Sequence, residues 1–141
     1  MTIIESVKNF IMTCPFLAEL ARVNVDFLPE NPDTYSIEEV PSQIIIKEYL
    51  DGSSERQFIF VFAARLNYSD ELRTNINNSG FFEDFAEWLE KCTREEIFPE
   101  MKEGMKPSKI EAISSGYLFD VSGDLSNSRY QIQCRLIYDK E

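Results

Sequence analysis

The chain has 141 residues, 43% of them hydrophobic, including 11 Phe, 6 Tyr and 1 Trp, which is enough for a single domain around one core and too apolar for a disordered segment. Fourteen basic against twenty-five acidic residues leave a formal net charge of −11, which repels nucleic acid and anionic membranes at long range and argues against sequence-specific DNA binding. Histidine is absent, and with it the Ser-His-Asp, Cys-His and His-based metal arrangements.

In chain order, Ile3, Ile4, Val7, Phe10, Ile11 and Cys14 recur at three- and four-residue steps, predicting an amphipathic helix over Thr2–Cys14 that Pro15 ends or kinks. A short helical turn is expected over Pro15–Ala21, with Phe16, Leu17 and Leu20 on one side. Val23–Phe27 alternates as a short strand. Pro29–Pro41 carries three prolines among Asn31, Asp33 and Ser36, so it is expected to be a loop with only an extended piece at Thr34–Ile37.

Gln43–Leu50 and Arg56–Leu66 are rich in Ile, Phe and Val, and Asp51-Gly52-Ser53-Ser54 joins them as a hairpin. In the second of these strands Phe58, Phe60 and Phe62 point one way and Ile59, Val61 and Ala63 the other, which places it at a sheet centre. One of its faces is expected under helices, and the other under the N-terminal segment or a second subunit.

Ser69, Asp70 and Glu71 read as the start of a short helix over Tyr68–Ile76, interrupted at Asn77–Gly80. A second helix, Phe81–Glu96, lays Phe81, Phe82, Phe85, Trp88, Leu89 and Cys92 along one side, with Phe82, Phe85, Trp88 and Leu89 facing the sheet. Phe98–Lys109 shows no period and is expected to be a loop. Lys109–Asp120 and Ser128–Asp139 form a second hairpin, whose last strand alternates Tyr130, Ile132, Cys134, Leu136 and Tyr138 with Arg129, Gln131, Gln133 and Arg135. The expected fold is one α+β domain over 1–141, an antiparallel sheet of about four main strands with helices mainly on one face.

No apolar run approaches the roughly 20 residues that a membrane-spanning helix needs, and Met1–Phe10 lacks the pattern of a signal peptide. A cytoplasmic chain with no membrane partner is expected. Cys14, Cys92 and Cys134 are odd in number and widely spaced, which points to buried thiols instead of disulfides or a zinc site.

Neither a dinucleotide-binding glycine turn nor a phosphate loop is present. The carboxylate pairs Glu38/Glu39, Glu83/Asp84 and Glu95/Glu96 are adjacent in sequence, so their members diverge and read as solvated charge. The run Asp120, Ser122, Asp124, Ser126, Asn127 has oxygen ligands at alternate positions but no bidentate Glu at the twelfth, and reads as a turn. No catalytic residue, cofactor or metal is therefore expected. Lys102, Lys106 and Lys109 form a basic stretch without interleaved aromatics, better suited to ionic contact with a protein than with nucleic acid. Candidate interface residues are Ile59 and Val61 on the second strand face, with Lys102 and Lys106.

Taken together, the N-terminal helix, the Phe58-Ile59-Phe60-Val61-Phe62 strand after Asp51-Gly52, and the Gly80-Phe81-Phe82-Glu83-Asp84-Phe85-Ala86-Glu87-Trp88 helix start resemble a family. So does the closing pair Tyr117-Leu118-Phe119 and Tyr130-Gln131-Ile132-Gln133-Cys134. The family is the minor capsid or tail-completion proteins of siphophages and prophages, similar in style to tail terminators. The resemblance implies a non-enzymatic virion subunit at the head–tail junction, present in the host cytoplasm during assembly. It also implies a hexameric ring of identical subunits that meets tail-tube and head-completion proteins and lets DNA pass without specific binding. No active residue transfers with it. The alternative reading is a small acidic cytoplasmic binding module, an adaptor or inhibitor, that meets a basic protein partner.

Overall fold

The computed structural model describes residues 1–17, 23–29, 34–67, 72–121 and 127–141, with side chains at all of these except 67, 72–79, 121 and 127. The fold is α+β. Among the described residues two helices, α1 (Ile3–Ile11) and α2 (Leu72–Arg94), accompany a mixed sheet of seven strands. The strands are β1 (Val23–Val25), β2 (Thr34–Glu39), β3 (Ile45–Glu48), β4 (Ser54–Asn67), β5 (Met105–Ala112), β6 (Tyr117–Val121) and β7 (Asn127–Lys140).

The sheet is built on β4 and β7, which pair antiparallel without a break from Ser54↔Lys140 to Asn67↔Asn127. From Phe58 to Leu66 in β4 and from Tyr130 to Tyr138 in β7 alternate residues are buried in the core, so a slip of one residue in either strand would turn that strand's apolar row outward. The free side of β4 takes two short strands, β3 at one end and β2 at the other, with β1 added parallel outside β2. The free side of β7 takes β5 and β6 end to end.

The seven strands, and the parallel β1–β2 pair, exceed the expected four antiparallel ones for two reasons. First, the segment expected to be a loop at Pro29–Pro41 contains β2, in register with β4 from Thr34↔Arg65 to Glu39↔Phe60. Its prolines bracket the strand without entering it, and the alternation of Tyr35 and Ile37 buries both in the core, at 3% and 0% exposure. Second, the expected strand Lys109–Asp120 is two strands, and the first begins at Met105, inside the segment expected to be a loop. An edge position tolerates Pro107, because its missing N–H faces away from the ladder.

Both helices lie on the Phe58/Phe60/Phe62 face of the sheet and share one core with it. Thr2 caps α1, its hydroxyl accepting a hydrogen bond from the Glu5 N–H at 3.2 Å. Val7, Phe10, Ile11 and Cys14 are buried as the spacing predicts, although the helix itself ends at Ile11.

α2 runs unbroken through Asn77–Gly80, where an interruption is expected from sequence. A helical glycine costs about 1 kcal/mol relative to alanine, and the burial of Phe82, Phe85 and Leu89 that follows it outweighs that. The helix stops two residues short of Glu96. Ile97 N–H donates to the Cys92 carbonyl and Glu96 N–H to that of Thr93, with Glu96 left-handed at φ 57°, a helix-ending turn that glycine usually supplies. Phe82, Phe85 and Leu89 face the sheet as expected. Trp88 is half-buried and stacks on Phe10 of α1 at 5.1 Å, so it joins the two helices to each other.

Residues 18–21 of the expected turn after Pro15, the Ser69 cap and most of the Asp120–Asn127 run lie outside the described residues. No helix among the described residues is long and apolar enough to cross a membrane.

Candidate functional site

On β4 the residues Ile59, Val61 and Ala63 face away from the helices, on the outer side of the sheet. Ile59 is half-buried, Val61 is 7% exposed and Ala63 fully buried. Long polar side chains of the sheet itself close this face. Arg129 reaches diagonally across β4 to donate to Glu38 at 2.9 Å, and its Nε donates to Gln131 Oε1 at 3.0 Å. Gln131 in turn donates to the Tyr117 hydroxyl at 2.6 Å. Beside them Arg135 makes a two-pronged contact with Glu111, at 3.1 and 2.7 Å, and Lys109 approaches the same carboxylate.

The end of the sheet beyond Ala63 is covered by the chain after β1. Phe27 N–H donates to Ser36 Oγ, while Thr34 Oγ1 and Arg65 Nε both donate to the Pro29 carbonyl. Alternation alone shows an apolar row here. It does not show that arginine stems and carboxylates from the adjacent strands would lie over it.

Burial opposes ionisation of Glu111, but Arg135 and Lys109 overcome it and hold the carboxyl below its ordinary value. Lys102 and Lys106 are exposed, the first in the turn that Gly104 makes with φ 87°, the second on β5 opposite Asp139. They do not join Ile59 and Val61 in one patch. Ile59 lies in the row of Arg135 and Glu111, while Lys106 lies in that of Asp139 and Glu55.

Exposed large apolar residues lie along the two lateral edges, Val25, Phe27, Ile44 and Ile46 on the β1/β3 side and Ile113, Leu118 and Phe119 on the β5/β6 side; others, Tyr49 and Leu50, sit on the β3–β4 turn at the end of the sheet, and Met1, Met12, Phe16 and Ile97 lie around α1 and after α2. Along β5 the backbone is shielded from further strand pairing. Thr93 Oγ1 of α2 donates to the Ile110 carbonyl at 2.7 Å and accepts from its N–H at 3.1 Å, and Lys106 and Pro107 guard the rest as edge strands commonly do. The solvent side of α2 is acidic, with Glu83, Asp84, Glu87 and Glu90 exposed. No ion pair engages them among the described residues. Sequence reading missed the edges because Ile44 and Ile46 look like core strand residues; of the exposed turn beside them, a leucine next to Asp-Gly was a visible signal.

For chemistry the described residues offer little. All three cysteines are buried and free, and burial raises each thiol above its ordinary value, Cys134 furthest, the opposite of what a nucleophile needs. No group of three or more metal-ligating side chains forms among the described residues. Glu38 is committed to Arg129, while Glu39 is exposed at the end of β2. No family model matches the chain, and no curated protein matches it.

Proposed function

We propose that the chain is a structural subunit that acts through its surfaces, assembling side by side with identical copies into a ring of the kind that joins a phage head to its tail. One observation carries this reading: the two broad faces of the sheet are covered by the chain's own helices and polar side chains, while exposed apolar residues lie along both lateral edges. Apolar surface on two opposite edges suits a head-to-tail contact between unlike patches, which closes into a ring when the rotation permits. In such a ring the acidic charge would line or flank a channel through which DNA slides without sticking. Tail-tube and head-completion proteins would be its neighbours in the virion.

Sedimentation of the concentrated protein, with negative-stain imaging of any larger species, tests the proposal. A closed oligomer, six-fold by the resemblance, is the expected result. A strict monomer at high protein and salt concentration would overturn it.

A second reading is favoured by the exposed carboxylates of α2, which make no ion pair among the described residues: a binding module that presents this face to a basic protein. Charge reversal by Glu83→Lys and Glu87→Lys separates the two, since it abolishes partner binding in this case and leaves ring formation intact in the first.

A further inference from the structure

Of the five glycines, four follow a serine or a glutamate; Gly52 alone follows an aspartate, and no Asn-Gly pair occurs in the chain. An Asp-Gly bond is open to an internal reaction, because glycine has no Cβ to hinder its own nitrogen. That nitrogen attacks Asp51 Cγ, and the hydroxyl of the protonated carboxyl leaves with the amide proton as water, closing a five-membered imide. Water reopens the ring at either carbonyl. Opening at the backbone carbonyl leaves the chain running through Asp51 Cβ and Cγ, an isoaspartate of unchanged mass. Asp51 and Gly52 are both exposed at the tip of the β3–β4 hairpin, within reach of the water this needs.

The turn holds both reacting groups in other bonds. Gly52 N–H donates to the Tyr49 carbonyl at 3.1 Å, with Gly52 at φ 92°, and Tyr49 N–H donates to the Ser53 carbonyl at 2.9 Å. Asp51 Oδ1 accepts from the Ser53 hydroxyl at 2.6 Å and from the Ser53 N–H at 2.9 Å. These two bonds, the hydroxyl's first, hold the carboxyl below its ordinary value. It therefore stays ionised, without the hydroxyl that must leave. Lys106, Asp139, Lys140 and Glu141 line the same recess at the end of the sheet. No ion pair among the described residues ties Asp51 to either lysine, so Ser53 is the partner that restrains it.

We infer that Asp51 is the residue at which this chain isomerises its own backbone, and that Ser53 keeps the folded protein from doing so. Closure of the imide requires Asp51 to release Ser53 and Gly52 N–H to release Tyr49. The product has an extra backbone atom between Tyr49 and Ser53. It would disturb the bond that closes the hairpin and the Glu48↔Ser54 pairing beyond it, loosening β3 and the exposed Ile44 and Ile46 at its edge. None of this depends on self-assembly.

The test incubates wild type and Ser53→Ala, each folded and unfolded in urea, warm and at neutral pH. Trypsin then releases the peptide Glu48–Arg56, which is read for isoaspartate by a shift in retention at unchanged mass and by labelling with an isoaspartyl methyltransferase. Folded wild type is expected to accumulate isoaspartate at position 51 several-fold more slowly than the unfolded chain. Folded Ser53→Ala, checked by circular dichroism, should react faster than folded wild type and match it once both are unfolded. Asp51→Glu, whose longer side chain would need a six-membered ring, should give none. An unfolded chain that isomerises elsewhere and not at Asp51 would overturn the site. Folded wild type reacting as fast as unfolded, or folded Ser53→Ala no faster than wild type, would overturn the protection by Ser53. If Ser53→Ala does not fold, the folded and unfolded wild-type rates still decide whether the turn protects.

Discussion

Gly116 sits in the break between β5 and β6, beneath α2, and a Cβ added there would lie 2.3 Å from Phe82 Cβ, 2.5 Å from Cγ and 3.0 Å from Cδ2. Carbon atoms in contact are about 3.5–4.0 Å apart, so an alanine overlaps by more than 1 Å. The nearest atom is Phe82 Cβ, which is fixed to the helix backbone, so no rotamer change relieves the conflict. Either α2 or the residues before β6 must move, and Phe82 is 1% exposed and packed against Phe62 and Tyr130. Overpacking of this kind costs about 1–3 kcal/mol, and the rigidity on the helix side places Gly116→Ala near the upper end. With a urea dependence of about 2 kcal/mol per molar, such a loss lowers the unfolding midpoint by about 1–1.5 M. Fluorescence of the single tryptophan, stacked between the helices at Trp88, follows the transition. Truncating Phe82 to alanine would leave the closest atom in place, so it should not rescue the variant. A stability for Gly116→Ala within about 0.5 kcal/mol of wild type would refute the packing described for α2 on the sheet.

Thr93→Val keeps the shape of the side chain but leaves the Ile110 N–H and carbonyl without their partner, and should cost about 1–3 kcal/mol in denaturant unfolding; Thr93→Ser, which keeps the hydroxyl, should cost less. Glu96→Gly removes the strain of a left-handed glutamate and should stabilise the chain by up to about 1 kcal/mol, read as a higher melting temperature. Glu111 has its carboxyl held below the ordinary value of 4.5, so its contribution is present above that pH and is lost as pH falls through the folded value. The stability difference between wild type and Glu111→Gln, measured by chemical unfolding, should therefore be full near neutral pH and shrink below about 4.5; a constant difference would count against the Arg135 contact.

The parts of the fold legible in the sequence were those whose own periodicity decides their environment. β7 alternates large apolar residues with polar ones, and all five of Tyr130, Ile132, Cys134, Leu136 and Tyr138 are buried. The Phe58/Phe60/Phe62 face and the turn at Asp51-Gly52 were equally plain. What was not legible depends on partners distant in sequence. β2 is a strand because it lies between β1 and β4, and its short Tyr35-Ser36-Ile37 alternation between prolines cannot show that those neighbours exist. The helix passes Gly80 because tertiary packing overrides a weak local preference. The surroundings of Ile59 and Val61 were not legible for a similar reason: Arg129 and Arg135, which share their face of the sheet, lie some seventy residues away in the chain.

That covering changes how charge should govern assembly. If the outer face were open and apolar, stacking through it would bring the acidic helices no closer together. Contact through the edges sets neighbouring subunits side by side, where like charge acts over the whole flank. Each carries −11, and at about 0.01 M salt the screening length is about 30 Å, against about 8 Å at 0.15 M. The apolar part of the contact is little affected over that range, while the repulsion between flanks falls steeply, so the oligomer fraction should rise with salt. A complex held by the α2 carboxylates on a basic partner has the opposite dependence, because screening weakens attraction between unlike charges. Sedimentation of the chain alone across this salt range tests the prediction. An oligomer that dissociates as salt increases would mean that ion pairs, and not the apolar residues on the edges, hold the copies together.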